Sequence, residues 1–165
     1  MKPNGSEAMD GGTAVVGVIS DTHGLLRPEA LSALAGSSLI LHAGDIGTED
    51  VLAGLEEIAP VRAVRGNVDR GRWARNLART EVVQVGPIRL YLLHDLSTLR
   101  LDPRKEGIAV VISGHSHKPR IWEEDGVLFF NPGSAGPRRF RLPVSLGRLF
   151  LQGARVRGEI LTLDL

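Results

Sequence analysis

Cysteine is absent from the 165 residues of this chain. That absence excludes disulfides and thiolate metal sites, and it is typical of proteins from a reducing compartment. Aromatic residues make up only 4% of the chain, so the stacking platforms that bind single-stranded nucleic acids are nearly missing. The formal net charge is only +1, which provides no overall electrostatic attraction for DNA or RNA. We therefore expect neither a disulfide-stabilised protein nor one that binds nucleic acid.

Long hydrophobic runs are also lacking, since no apolar stretch approaches the roughly 20 residues that span a bilayer. The apolar fraction of 42% is nevertheless enough for one ordinary core at this length. Residues 1–13 are polar and glycine-rich, without the apolar segment of a signal peptide. They predict a flexible N-terminal tail, followed by a single domain over residues 14–165. The predicted setting is the cytoplasm, without membrane contact.

In the first half of the chain, short β-branched runs alternate with helix signals. The predicted strands are Val15–Ile19, Leu39–Leu41 and Val61–Val64. Pro28 favours the start of one helix, which ends before Gly36. Thr48 and the two acidic residues after it favour a second helix, which runs to about Ala59. The arginine-rich stretch 70–79 is less regular and allows one further helix.

Strand signals dominate the second half. The predicted strands there are 81–85, 88–93, 108–112 and 127–130. Gly86-Pro87 separates the first two and predicts a hairpin. Over residues 144–163 apolar and polar positions alternate, which is typical of a half-exposed antiparallel sheet. Since no repeat or linker divides the chain, the pattern indicates one α/β domain.

A polar residue that can bind a metal follows the carboxyl end of each of five predicted strands. These residues are Asp21, Asp45, Asn67, His94 and His115. In open α/β folds ligands bind at that edge of the sheet, because the connecting loops converge there. The sequence therefore predicts that residues far apart in the chain meet at one rim.

The candidate residues carry carboxylate, imidazole and carboxamide groups, which are ligands of hard or borderline divalent metals. Asp21 with His23, and His115 with His117, form i, i+2 pairs whose side chains share one side of extended backbone. The predicted metal ligands are Asp21, His23, Asp45, Asn67, His94, His115 and His117. Seven ligands are too many for one ion, so two metals are predicted.

The order of these motifs is itself informative. Along the chain they read Asp21-Thr-His23, Gly44-Asp45, Gly66-Asn67, His94 and Gly114-His115-Ser-His117. This order resembles the calcineurin-like metallophosphoesterase superfamily, over residues 15–137. The short length and the Asn131-Pro-Gly-Ser134 turn are similar to its small bacterial and archaeal phosphodiesterases. The resemblance implies a β-sandwich of two mixed sheets flanked by helices, in a four-layer αββα arrangement.

The resemblance also implies how the ligands divide between two divalent ions. One ion is held by Asp21, His23, Asp45 and His117. The other is held by Asn67, His94, His115 and again Asp45, which bridges the pair. The implied catalytic residues are Asp45, Asn67 and His115, with Asp45 as the most damaging single loss. Manganese is the first choice of metal, with nickel, iron, zinc and cobalt as alternatives.

The implied function is a metal-dependent phosphodiesterase that hydrolyses a small phosphate ester with a hydroxide bridging the two ions. Two other functions stay open. One is a non-catalytic interaction scaffold of the same fold, the role of the retromer subunit; degraded ligands would mark a scaffold, whereas this set is complete. The other is a nuclease, against which the near-neutral charge argues. The sequence leaves open whether the chain forms a homo-oligomer.

Two positions depart from the superfamily pattern. Many members have a histidine after Gly-Asn, where this chain has Val68, and valine cannot donate a proton to a leaving group. The hypothesis is therefore a preference for phosphodiesters, or for esters whose leaving group departs without an acid. Asp95 stands where relatives often have glycine. Three roles are considered for Asp95, namely contact with the second ion, donation of a proton, or simple exposure to solvent. The last interpretation is favoured.

Other polar residues near these motifs have structural interpretations. His42 is expected to pack and hydrogen-bond behind the ligands, and Asp69 to orient the Asn67 loop. For Asn131 and Ser134, a turn role and a substrate-facing role are equally good interpretations.

Two groups of arginines are interpreted separately. For the first group, residues 65–79, a solvated helix face is favoured over phosphate binding. For the second group, residues 138–141, two interpretations are considered: an approach to the cleft, or only the general arginine bias of the chain. The groups are Arg65, Arg70, Arg72, Arg75 and Arg79, and Arg138, Arg139 and Arg141.

Overall fold

The computed structural model describes residues 12–165, so residues 1–11 of the predicted tail lie outside the described part of the chain. The strands are β1 Ala14–Ile19, β2 Leu39–His42, β3 Val61–Ala63, β4 Thr80–Val85, β5 Ile88–Leu93, β6 Val110–Ile112, β7 Arg120–Glu124, β8 Val127–Asn131, β9 Ser145–Gln152 and β10 Arg155–Thr162. The α-helices are α1 Pro28–Leu34 and α2 Glu49–Glu56, and 3₁₀ helices lie at Trp73–Asn76 and Leu96–Thr98.

The strands form two five-stranded mixed sheets. The first has the order β10-β9-β1-β2-β3, and the second has the order β4-β5-β6-β8-β7. In the first sheet β1, β2 and β3 run parallel, while β9 and β10 pair antiparallel at one side. In the second sheet β5, β6 and β8 run parallel, with antiparallel β4 and β7 at its two edges. The predicted fold class, a sandwich of two mixed sheets, is confirmed.

The inner faces of the two sheets share one apolar core. Val16 and Val18 of β1 belong to this core together with Leu90 and Leu92 of β5, and Phe130 of β8 is fully buried within it. Removing a side chain of this size from water contributes roughly 1.5–3 kcal/mol to the free energy of unfolding. The sandwich thereby holds the carboxyl ends of both sets of parallel strands in a fixed relation.

The outer faces are covered differently. Helices α1 and α2 lie on the first sheet, where Leu34 and Leu55 pack with Ile19 and Ile40. On the second sheet, the 3₁₀ helix Leu96–Thr98 and the segment after it supply the apolar cover, through Leu96, Leu99 and Leu101. No helix among residues 12–165 is both long and apolar enough to cross a membrane.

Most predicted elements occur. Some strand ends shift by one or two residues, as in β6, which begins at Val110 instead of residue 108, and there are three further differences. Helix α2 ends at Glu56, three residues before the predicted end. The irregular stretch 70–79, which allowed one further helix, forms only the four-residue 3₁₀ helix Trp73–Asn76. Strand β7 was not predicted. It is an edge strand, and its sequence Arg-Ile-Trp-Glu-Glu is mostly exposed, so it lacks a clear apolar period.

Candidate metal centre

The predicted ligand residues lie at one rim of the sandwich, to which both sheets contribute. Asp21 and Asp45 follow β1 and β2 of the first sheet, whereas His94 and His115 follow β5 and β6 of the second. Parallel strands end at the same edge, so the loops that carry these residues converge. The prediction of a common rim is confirmed.

Asp21, His23 and His117 form the first group at this rim, with one potential ligand atom of each within 4.8 Å of the others. The two Nε2 atoms of His23 and His117 are 3.4 Å apart. The Asp21 Oδ1 atom lies 3.2 Å from His117 Nε2 and 3.8 Å from His23 Nε2. Three potential metal-ligand atoms thus face one point.

Asp45, His94 and His115 form the second group under the same 4.8 Å limit. The Nδ1 atom of His115 is 3.3 Å from Nε2 of His94, which in turn is 3.2 Å from Asp45 Oδ2. Oδ2 is also 3.8 Å from His23 Nε2 in the first group. A single carboxylate oxygen of Asp45 therefore stands between the two groups.

Each aspartate uses one oxygen to hold its loop and turns the other towards the rim. Asp21 Oδ2 accepts hydrogen bonds from the Ser20 hydroxyl at 2.6 Å and from the His115 backbone N–H at 3.0 Å. Asp45 Oδ1 accepts one from the Val68 N–H at 3.1 Å. The remaining oxygens, Asp21 Oδ1 and Asp45 Oδ2, are those that point at the histidines. This division fixes the direction in which each carboxylate offers its charge.

The buried Asp21 Oδ1 atom indicates that a cation fits here. It has no hydrogen-bond donor of good geometry among the described residues, and a buried carboxylate oxygen without a partner is costly. Burial by itself raises the pKa of Asp21. The contact with His117, the hydrogen bond from the Ser20 hydroxyl and the charge of His94 together lower it by more, so the pKa lies below its ordinary value. Asp21 is therefore an ionised group whose inner oxygen faces histidine rings without a well-formed hydrogen bond, and a divalent metal would provide it with a full counter-charge.

Backbone strain is concentrated at the same residues. Seven non-glycine residues of the described chain have positive φ, and five of them are predicted ligands. Such conformations cost of order 1–3 kcal/mol each and persist where the surroundings impose them, commonly at functional sites. The five are Asp21 (54°), His23 (46°), Asp45 (56°), His115 (69°) and His117 (63°).

Two of the glycines in the motifs are required by close approach. A Cβ atom at Gly66 would lie 2.1 Å from Asp45 Oδ1, and one at Gly114 would lie 2.0 Å from Ser20 Oγ. No side chain fits at such distances. These glycines therefore let the backbone approach the neighbouring ligand loops closely.

His42 lies behind the two groups and belongs to neither. It is fully buried, and its Nδ1 accepts the Gly44 N–H at 3.1 Å. Nε2 must then carry the proton, which it donates to Thr22 Oγ1 at 3.0 Å, and the Thr22 hydroxyl donates to the Ile46 carbonyl at 2.8 Å. Burial lowers the pKa of His42 to about 3, so the ring is neutral. The predicted packing role is confirmed.

Asp69 clamps two loops of the rim, as the sequence indicated. Its Oδ2 accepts the Gly66 N–H at 2.8 Å, and its Oδ1 accepts the Gly47 N–H at 3.0 Å. Asn67 lies between Gly66 and Val68, on the loop that Asp69 and Asp45 hold, and its side chain is exposed. Its assignment as a metal ligand stays a prediction.

Asn131 and Ser134 support the ligand loops, so neither is a simple turn residue. Asn131 Nδ2 donates to the Gly114 carbonyl at 3.0 Å and to Ser116 Oγ at 3.1 Å, which holds the loop of His115 and His117. The Ser134 hydroxyl donates to the Asp21 carbonyl at 2.9 Å. Like Ser20, these residues contact parts of the rim that are distant in sequence.

Replacing Asn131 by leucine should impair the rim without touching a predicted ligand. The Gly114 carbonyl would keep the Ser116 N–H at 2.8 Å but lose its side-chain donor, and Ser116 Oγ would lose one too. Each lost hydrogen bond costs about 0.5–1.5 kcal/mol of the free energy of unfolding. Loss of such a supporting residue typically lowers metal affinity about 10–100-fold. Urea unfolding and metal titration measure the two effects, with the exposed Asn76→Leu as control. Unchanged metal affinity in Asn131→Leu would contradict the supporting role.

Asp95 does more than face solvent, so the favoured interpretation is wrong in that respect. Its Oδ1 accepts the Ser97 N–H at 3.0 Å and the Ser97 hydroxyl at 2.8 Å, which caps the 3₁₀ helix. Its Oδ2 lies 3.8 Å from His115 Nε2. The carboxylate therefore faces the ring nitrogen of His115 that is turned away from His94.

The two groups of arginines are exposed, apart from the partly buried Arg65, which donates to the Asp69 carbonyl at 3.0 Å. The first group lies on no α-helix, so a solvated helix face is not formed. In the second group the charge of Arg139 makes a small contribution at His23. Burial lowers the pKa of His23, and the charge of Arg139 adds to that effect against the opposing charges of Asp45 and Asp21.

Comparison with known proteins agrees with this geometry. Residues 15–153 match the family model described as the calcineurin-like phosphoesterase superfamily domain. A probable metallophosphoesterase of Methanothermobacter thermautotrophicus is 37% identical over 159 residues, which cover 89% of this chain and 91% of the relative.

Two solved structures have the same fold. Vacuolar protein sorting 29 of Cryptosporidium parvum has a TM-score of 0.80 at 24% identity, covering 93% of each chain. A structure described as a novel archaeal phosphodiesterase has a TM-score of 0.74 at 25% identity, covering 89% of this chain and 99% of that one. With the family model spanning most of its length, this chain belongs to the calcineurin-like phosphoesterase superfamily.

Proposed function

We propose that this protein is a metal-dependent phosphodiesterase with two divalent ions at the rim. The observation that carries the proposal is the position of Asp45 Oδ2, 3.2 Å from His94 Nε2 in one group and 3.8 Å from His23 Nε2 in the other. An oxygen in that place suits a carboxylate that bridges two cations.

The proposed ligand sets follow the two groups. Asp21, His23 and His117 hold one ion, and His94 and His115 hold the other, with Asp45 shared. Asn67 is added to the second set because it follows β3 in the motif order. Two divalent ions bound there would activate a water as nucleophile and neutralise charge on the phosphoryl oxygens. Oxygen and nitrogen donors of this kind suit several metals, and we propose manganese first.

The protein's own groups prepare the site for an anionic ester. Two divalent ions outweigh the charges of Asp21 and Asp45, so the loaded rim is positive and attracts phosphate. His115 is the most exposed of the four proposed histidine ligands, since its side chain is 48% exposed, whereas His94 and His117 are buried. Substrate would therefore approach from the side of His115.

The test of the proposal combines metal analysis with rate measurements on aryl and alkyl phosphodiesters. Because Val68 is a half-exposed side chain without a proton to donate, we expect rates that rise steeply as the pKa of the leaving alcohol falls. Equal rates across leaving groups would contradict the absence of an acid at this position. Inactivity towards every ester with manganese, nickel, iron, cobalt and zinc would contradict the proposed function and favour the scaffold.

A further inference from the structure

A groove with a cavity volume of about 510 Å³ adjoins the second ligand group. Its wall includes His115, Ser116, Lys118, Arg120, Trp122 and Asn131. The volume lies within the roughly 300–1,000 Å³ of typical ligand pockets. His115 belongs both to the groove and to the ligand group, so a phosphoryl group at the rim would direct one of its substituents into this groove.

One wall of the groove carries a column of two flat groups, the Trp122 ring and the Arg120 guanidinium, and the buried Phe129 supports Trp122 from outside the groove. Trp122 lies parallel to Phe129, with ring centroids 5.2 Å apart and planes inclined by 14°. The Arg120 guanidinium carbon lies 4.4 Å from the centroid of the Trp122 ring. Indole and guanidinium planes both stack on heterocyclic bases, and such stacking tolerates any base.

The polar groups of the groove complement an anionic, hydroxyl-bearing ligand. Lys118 and Arg120 carry positive charge, and Asp95 is the only acidic residue of the wall. Ser116 Oγ already accepts hydrogen bonds from Asn131 Nδ2 at 3.1 Å and from the Lys118 N–H at 3.2 Å. Its own proton has no acceptor in the described part of the chain, so it is available to a ligand.

We propose that this groove binds the nucleoside portion of a nucleoside phosphodiester, with the base stacked on the column of Trp122 and Arg120. The inference rests on the proposed function for the place of the phosphoryl group. It extends that function, because it names the substrate class. Compared with an alkyl group of similar size, a nucleoside gains the stacked contact as well as hydrogen bonds to its sugar.

The experiment uses binding, so that it does not depend on hydrolysis. The chain has two tryptophans, and their indole N–H signals in a proton–nitrogen NMR spectrum are assigned with Trp73→Phe and Trp122→Phe. Thymidine 5′-monophosphate and methyl phosphate are titrated into metal-free protein and into protein loaded with Zn²⁺, which is diamagnetic. We expect the Trp122 signal to shift with the nucleotide only and the Trp73 signal to stay unchanged.

Variants then measure the contribution of the column. Trp122→Leu should weaken binding of thymidine 5′-monophosphate at least about fivefold and leave that of methyl phosphate unchanged. Trp122→Phe retains an aromatic ring and should stay within about twofold of the original protein. If Trp122→Leu does not fold, the exposed Arg120→Gln decides, with an expected loss of about threefold.

Equal responses of Trp122 to both ligands, or an unchanged affinity for the nucleotide in the variants, would overturn the nucleoside site. Neither result would affect the proposed function, because phosphodiester hydrolysis is measured separately on aryl esters. Conversely, nucleotide binding at Trp122 in a protein that hydrolyses no ester would uphold the groove and contradict the enzyme.

Discussion

Asp45→Asn should reduce phosphodiester hydrolysis at least about a thousandfold. The change removes one negative charge from the oxygen that stands between the two ligand groups. If that oxygen is shared by two ions, its loss weakens both, and a thousandfold loss corresponds to about 4 kcal/mol of transition-state stabilisation. The asparagine carbonyl can still accept the Val68 N–H, so the loop should keep its shape. Metal analysis should show fewer than two ions per chain.

A matched control exists in the same chain. Asp125 also has positive φ, at 51°, but it lies exposed in the turn between β7 and β8. Asparagine tolerates this conformation as well as aspartate does, so Asp125→Asn should keep full activity and full metal content. Full turnover of Asp45→Asn under the same conditions would rule out the shared carboxylate.

The rim was predictable because its residues follow from local sequence. His94 comes directly after a run of apolar residues and Asp21 comes one residue after another, and such runs indicate buried strands whose ends meet at one edge. The order of the motifs then allowed the ligands to be named residue by residue. Neither step required knowledge of which strands pair.

The supporting contacts were not predictable in the same way. Asn131 donates to Gly114, 17 residues away, and Ser134 donates to Asp21, 113 residues away. Their own sequence, Asn-Pro-Gly-Ser, is equally typical of an ordinary turn. The positive φ of His23 and His117 could not be predicted from local sequence either, because this conformation is uncommon even for histidine and depends on the surrounding structure. For Ser20, one feature of the sequence could have indicated a supporting role, which is its position directly before Asp21.

His42 should make the metal-free protein sensitive to acid. Its pKa is about 3 in the folded protein because of burial, against 6.5 ordinarily. The unfolded chain therefore binds the extra proton between these values. The contribution of the neutral His42 ring to the free energy of unfolding is fully present above pH 6.5. It is lost as pH falls towards 3, by about 1.4 kcal/mol per pH unit and about 5 kcal/mol in total.

The measurement is the free energy of unfolding by urea between pH 4 and pH 7, with a chelator present. His42→Gln should be less stable than the original protein at pH 7, since the hydrogen bonds to Gly44 and Thr22 are disturbed. Its stability should nevertheless fall less steeply as the pH is lowered. The same slope in both proteins would show that protonation of His42 does not limit stability in acid.

The pKa of His94 is shifted in the opposite direction to that of His42, so stability should depend on pH in the opposite sense. Comparing the two residues therefore distinguishes the effect of His42 from a general acid sensitivity of the protein. Burial lowers the pKa of His94, but its hydrogen bond to Asp45 and the charges of Asp21 and Asp45 outweigh burial and raise it above 6.5. Its contribution is therefore present below pH 6.5 and is lost as pH rises through the folded-state pKa. His94→Gln should remove a decline in stability above pH 6.5 and leave the acid limb intact. Identical profiles for the two variants would contradict both assignments, because the two rings should titrate in opposite directions.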